Sequence, residues 1–272
     1  MSNGIAISRK ITLSISSGVP CASRALVWEV FFASRQRGLD LSTHFPWIEQ
    51  SFGTYCFTLS EEGAGTSVAT LVLRMRNLLS GSRCAMVGMV CVDKAWRGQG
   101  LSARLLSSAI TFAAEQKINP LLLWTTQPGI YSRYGFAPDT ETCDTLGLVR
   151  LGHLRPRAKV KFAKRVPGPS RGLPPFGRQL VLFESDAAEL IAVETAEGLA
   201  LAEWQGSLPA VLDLIEAALP STWSLNASAD SSIFGVISER GHLYTPLPCA
   251  SRMVKYLDMP VYTPYISILE RI

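Results

Sequence analysis

Metal-binding and disulfide signatures are missing from this 272-residue sequence. Its six cysteines, at positions 21, 56, 84, 91, 143 and 249, form no Cys-x-x-Cys pair, and the three histidines at 44, 153 and 242 are scattered. These spacings exclude a zinc site and a disulfide framework, so no residue is assigned to a metal. Isolated thiols predict a reducing, cytoplasmic compartment. Long apolar runs are missing too. The most apolar early stretch, Ala25–Ala33, is too short to span a bilayer and contains Glu29, and the first residues lack the apolar core of a signal peptide. No membrane partner is expected. Charge is sparse at 18% of residues, and the net +4 is too weak to predict a nucleic-acid partner, although it suits an anionic cofactor.

What is present is a large apolar fraction, 47%, enough for a folded core in one large domain or two small ones. Residues 22–37 carry Leu26, Val27, Val30 and Phe31 at helical spacing, and 43–51 predict a second short helix. Strands are predicted over 55–59, 67–76 and 84–92, the last apolar enough to be buried on both faces. A helix starts at Leu101 and stops at Asn119-Pro120. It is followed by a strand at 121–124, a short helix at 130–133 and a strand at 142–151. The fold class is therefore α/β. The aromatic cluster of Trp28, Phe31, Phe32, Phe45 and Trp47 is expected in the core.

Residues 150–178 differ in composition, with nine Lys or Arg, no Asp or Glu, and then a Pro/Gly-rich run. They divide the chain into 1–160, a basic Pro/Gly-rich linker at 161–178, and a smaller unit at 179–272. In that smaller unit a hairpin over 189–194 and 198–204 precedes a helix at 208–219, a strand at 223–226, a short helix at 233–239 and strands near 249–256 and 265–269. This order repeats that of 67–151 with little residue identity, an internal repeat by architecture.

The segment after the third strand, Asp93 to Ser102, joins a buried strand to a helix through a basic, glycine-containing turn. Helical N–H groups in a first turn have no intrahelical partner, the helix dipole adds positive charge there, and glycines let a phosphate approach the backbone. Arg97 adds a charged donor. A Walker loop is excluded, because Gly100 is followed by Leu101-Ser102 rather than Lys-Ser/Thr. Gly98-x-Gly100-x-x-Ala103 satisfies a dinucleotide fingerprint, but the next strand ends in Thr125-Thr126-Gln127, without the acid that would hold a ribose.

Arg97-Gly98-Gln99-Gly100-Leu101-Ser102 resembles the Gln/Arg-x-x-Gly-x-Gly/Ala loop of the GCN5-related N-acetyltransferase (GNAT) family, with Ser102 in place of the usual Gly or Ala. About thirty residues on, Ile130-Tyr131-Ser132-Arg133-Tyr134-Gly135-Phe136 resembles that family's Phe-Tyr-x-x-x-Gly-Phe. The resemblance covers roughly residues 20–160. It implies a mixed central sheet flanked by helices, with 179–272 a smaller, degenerate GNAT-like α/β domain that covers the acceptor cleft or mediates a homodimer. Trp204-Gln205-Gly206-Ser207 stands where that domain's loop would be.

The same resemblance implies acetyl-CoA as co-substrate. Main-chain groups of Val90, Cys91 and Val92 would pair with the pantetheine arm, and Arg97, Gly98, Gln99, Gly100, Leu101 and Ser102 would hold the pyrophosphate. A primary amine, of a small molecule or a protein, would attack the thioester directly. Tyr131 matches the tyrosine that protonates the departing thiolate, and Cys91 is not expected to act as a nucleophile. The base stays open between Glu29, Glu49 or His44 and a chain of waters. A longer acyl-CoA or an acyl carrier protein as donor, or a non-catalytic CoA-binding module, are the rival readings.

Overall fold

The computed structural model describes residues 10–36, 38–63, 65–78, 81–140, 144–152, 159–168 and 171–272. Cys143, and Arg155 and Arg157 of the basic stretch, lie outside them. In chain order the first seven strands are β1 (Ile11–Ser17), β2 (Thr54–Glu61), β3 (Ser67–Asn77), β4 (Arg83–Val92), β5 (Leu121–Thr125), β6 (Ala137–Pro138) and β7 (Asp144–Arg150). The next seven are β8 (Ala163–Arg165), β9 (Gln179–Glu184), β10 (Ala188–Thr195), β11 (Gly198–Gly206), β12 (Thr222–Ser228), β13 (Leu243–Leu247) and β14 (Ser251–Lys255). The helices are α1 (Cys21–Phe31), α2 (Leu41–His44), α3 (Leu101–Glu115), α4 (Pro128–Ser132), α5 (Leu208–Ala218) and α6 (Ile233–Glu239).

The strands build two seven-stranded mixed sheets, ordered β1-β2-β3-β4-β5-β14-β6 and β13-β7-β12-β11-β10-β9-β8. Each sheet has one parallel junction, β4 with β5 and β11 with β12. Each parallel junction is crossed by one helix, α3 or α5, whose apolar stripe seals one face. Leu101, Leu105, Leu106, Ala109 and Ala113 of α3 recur at helical spacing and are buried against β2, β3 and β4. Helix α1 buries Leu26 and Val27 on the opposite face.

The two sheets are copies with their seventh strands exchanged. β14 lies between β5 and β6, and β7 lies in the matching place between β12 and β13. The copies share a fine detail. β4 carries one extra residue opposite Leu71, where Thr70 pairs with Cys91 and Val72 with Gly88. β11 carries one extra residue, Ala202, where Ile191 pairs with Glu203 and Ala192 with Leu201. The internal repeat expected from the element order is thus present.

Composition alone places the break differently from the pairing. β7, from the segment before the basic stretch, completes the second sheet, and β14, from the segment after it, completes the first. Ala163–Arg165, inside the Pro/Gly-rich stretch, is a strand paired with β9. The strand expected at 265–269 is not formed. Glu270 N–H donates to Ser267 O in a turn, while Tyr265 reaches Asn226 of β12 with its hydroxyl. Among the described residues, no helix is long and apolar enough to cross a membrane.

Candidate active site

β4 and β5 pair only at Ala85 with Leu121 and Met86 with Leu122. Beyond those pairs the strands diverge, so the edge of β4 from Val87 to Val92 faces a slot rather than a neighbour. The extra residue in β4 sharpens this opening, with Met89 held at φ 50°. At the mouth of the slot the chain turns through residues 93–100. Asp93 anchors the turn, its amide donating to Val68 O and its carboxylate accepting from Ala95 N–H. Trp96 plugs the core below, which leaves Arg97 to Gly100 exposed above it.

Gly98 and Gly100 hold φ of 78° and 73°, a region that side chains with a Cβ resist. Gly100 caps α3 with its carbonyl accepting from Arg104 N–H. The amides of Leu101, Ser102 and Ala103 meet no protein acceptor among the described residues. Arg97 lies beside them, its Nε donating to Val92 O at 3.3 Å. This is an anion-receptive helix start with an open approach.

A cleft of about 350 Å³ runs from the slot to this turn. Eight of the nine residues expected to hold a cofactor line it: Val90, Cys91, Val92, Arg97, Gly98, Gly100, Leu101 and Ser102. Gln99 is exposed and does not line it. Val30 and Phe31 of α1 close the other wall. An open cleft with a free strand edge at one end and free helical amides at the other fits a pantetheine arm joined to a pyrophosphate.

Phe31 and Val90 also line a second cleft, of about 250 Å³, so the two clefts share these walls. Tyr131 stands in its wall with Trp124, Gly88 and Ile272. The Tyr131 ring packs edge-on against Phe136, and its hydroxyl has no protein partner among the described residues. Burial pushes the phenol above its ordinary value near 10, so it is neutral and able to donate at physiological pH. Burial, with Cys56 beside it, pushes the Cys91 thiol up to about 12, which leaves no thiolate at neutral pH.

The structure brings none of the three candidate bases to these clefts. Both ring nitrogens of His44 are used by the backbone, Nε2 accepting from Leu39 N–H and Nδ1 donating to Leu173 O. Glu49 is exposed and paired with Arg24 at 2.6 Å, and Glu29 is exposed on the outer side of α1. Among the described residues, no Asp, Glu or His lines either cleft. Of the aromatic cluster, Phe32, Phe45 and Trp47 are buried, and Phe31, Phe32 and Phe45 also form the wall of the second cleft. Trp124, Pro175 and Ile272 complete that wall. The sequence offered no local signal for Pro175 or Ile272, which arrive from beyond the first sheet's own segment.

The second sheet lacks this apparatus. Residues 93–100 separate β4 from α3, whereas Ser207 alone separates β11 from α5. No turn is left there to cradle a phosphate.

The sequence model of the acetyltransferase (GNAT) domain matches residues 66–138. No curated protein matches the chain. Among solved structures, a GCN5-related N-acetyltransferase from Anabaena variabilis is similar over 91% of this chain and 73% of its own, with TM-score 0.63 and 12% identity. Eis1 from Mycobacterium abscessus is similar over 91% and 74%, with TM-score 0.60 and 15% identity. A tandem GNAT protein from the clavulanic acid biosynthesis pathway is similar over 93% of this chain and all of its own, with TM-score 0.58 and 10% identity. At such identities the likeness is one of fold. Residues 66–138 are therefore similar to the acetyltransferase (GNAT) domain, in a chain whose two halves both have a GNAT-like fold.

Proposed function

We propose that this protein transfers an acetyl group from acetyl-CoA to a primary amine. One observation carries the reading: the cleft lined by Leu101 and Ser102 at the free start of the helix shares the walls of Phe31 and Val90 with the cleft that Tyr131 lines. In this reading the main chain of Val90 to Val92 pairs with the pantetheine amides. The turn from Arg97 to Ser102 holds the pyrophosphate, by amide donation and by the Arg97 charge. The thioester then lies near Tyr131. The amine nitrogen attacks the thioester carbonyl, the C–S bond breaks, and the Tyr131 phenol gives its proton to the departing thiolate. The nitrogen loses its proton to solvent, since no Asp, Glu or His among the described residues lines either cleft. The second half contributes Pro175 and Ile272 to the acceptor wall, and we propose that closing this wall is its role; a homodimer is not needed for it.

Isothermal titration with acetyl-CoA, followed by a panel of amines assayed for thiol release, tests the reading. Saturable binding and amine-dependent release are expected. Tyr131→Phe is expected to lower kcat with CoA affinity unchanged, and an unaltered kcat removes Tyr131 from the mechanism. The apolar walls of the second cleft, from Val27, Phe32, Phe45 and Leu123, favour one variant reading, a longer acyl donor. Comparing kcat/KM for acetyl- and hexanoyl-CoA separates the two.

A further inference from the structure

A third cleft, of about 420 Å³, opens at the seam of the two halves. Arg74 and Arg76 reach it from β3, Arg171 and Glu203 from the second half, and Glu270 from the last turn. Two of the three arginines are matched. Arg76 pairs with Glu270 at 2.6 Å, and Arg171 pairs with Glu203. Arg74 has neither an ion pair nor a hydrogen bond among the described residues; its guanidinium lies over the Trp47 ring, 4.4 Å from the centroid. The site therefore holds one positive charge in excess.

Arg74 is half-buried, and burial is the main influence lowering its pKa, with Glu270 opposing and Arg76 assisting. A guanidinium remains charged under such influence, so it sits partly desolvated with its five donors free. Stacking over an aromatic ring leaves the edge of the guanidinium available, and two parallel N–H donors match one carboxylate. The rest of the lining is mixed: Gln50 and Gly172 stand beside an apolar strip of Pro46, Met75, Met86 and Leu269. Clefts of this size at junctions between units, where polar groups converge beside an apolar strip, are where small ligands bind.

We propose that this seam cleft is a binding site for a small organic monocarboxylate, whose carboxylate pairs with Arg74 and whose apolar body lies against Met86 and Leu269. The site is distinct from the acyl-transfer clefts, since Arg74 lines neither of them, and the proposal does not depend on the acetyl-transfer reading.

The probe is benzoate, titrated into the full chain with intrinsic tryptophan fluorescence as readout, because Trp47 lines the cleft. Saturable binding is expected, with neutral benzamide and inorganic phosphate each at least about tenfold weaker, because the first lacks the charge and the second the apolar body. Arg74→Gln is expected to lose benzoate binding by at least about tenfold while its circular dichroism and acetyl-CoA titration stay those of the parent. Arg74→Lys keeps the charge but not the fork, and falls between them. Absence of saturable benzoate binding overturns the proposal. So does equal binding of benzamide or phosphate, or benzoate affinity unchanged in both Arg74 variants.

Discussion

Arg252 on the exchanged strand β14 pairs with Asp139, just after β6, through Nε and Oδ2 at 3.0 Å, with both side chains almost wholly out of solvent. The pair lies where the two halves interlock. β14 enters the first sheet between β5 and β6, so its arginine is a buried charge that Asp139 meets directly, with Asp144 adding a weaker attraction. Two carbonyls, Thr263 O and Pro264 O, accept from the remaining guanidinium donors.

Removing one partner of such a pair strands the other, at a cost of about 3–5 kcal/mol. Arg252→Met is therefore expected to lower Tm by on the order of 10 °C. Asp139→Leu alone should do similar damage. The double variant should recover much of the loss, because an apolar pair of similar volume carries no buried charge. Thermal unfolding of the four proteins checks this; additive losses would mean that the pair is not the coupling element.

Gly100 ends the turn and caps α3 at a positive φ, with nothing within 4 Å of where a Cβ would stand. Gly100→Ala is thus strained by its backbone rather than by crowding, roughly 1–2 kcal/mol. Relief of that strain would rotate the first helical amides away from the cleft. Acetyl-CoA affinity should fall by about tenfold, a loss of about 1.4 kcal/mol, with little change in the far-UV spectrum. Titration calorimetry reads the affinity directly, and an unchanged Kd would separate the turn from the cofactor.

That Arg97, Gly98, Gly100 and Ser102 would come together at one cleft was legible because their signals are local. They lie on one turn, and Tyr131 lies on the next short helix. The order of strands and helices exposed the repeat for the same reason. β1 was missed although Ile11, Leu13 and Ile15 alternate with Thr12, Ser14 and Ser16, because its polar half reads as a solvated stretch. It is an edge strand, and only pairing with β2 shows which face is covered. The strand exchange could not be read, because pairing between β14 and β5 spans more than 120 residues and leaves no periodicity. For the same reason Pro175 and Ile272 entered the wall of the second cleft unannounced. His44 misled as a base candidate, since its two backbone partners, Leu39 and Leu173, are visible only in three dimensions.

Gly88 tests the acceptor wall. A Cβ there would stand 2.5 Å from Ile272 Cγ1 and 2.6 Å from its carbonyl carbon. Gly88→Ala must displace the segment carrying Ile272, which lines the cleft with Tyr131. The cofactor cleft, which contains neither Gly88 nor Ile272, should be unaffected. A raised KM for the amine with an unchanged Kd for acetyl-CoA is expected. If both constants stay at parental values, the wall does not contact the acceptor.

The pH profile tests Tyr131 without altering it. As a proton donor the phenol works only while protonated, and burial raises its pKa above the ordinary value near 10. The alkaline fall in kcat is therefore expected above pH 10, and Tyr131→Phe should lack that limb. Stability carries the same sign. The folded chain keeps a proton that the unfolded chain releases at about pH 10, so this contribution is complete below that pH and is lost as pH rises through the raised value. Rate and urea-unfolding measurements between pH 7 and 11 check both. An alkaline limb at pH 8 or 9, retained in Tyr131→Phe, would assign the titrating acid to another group.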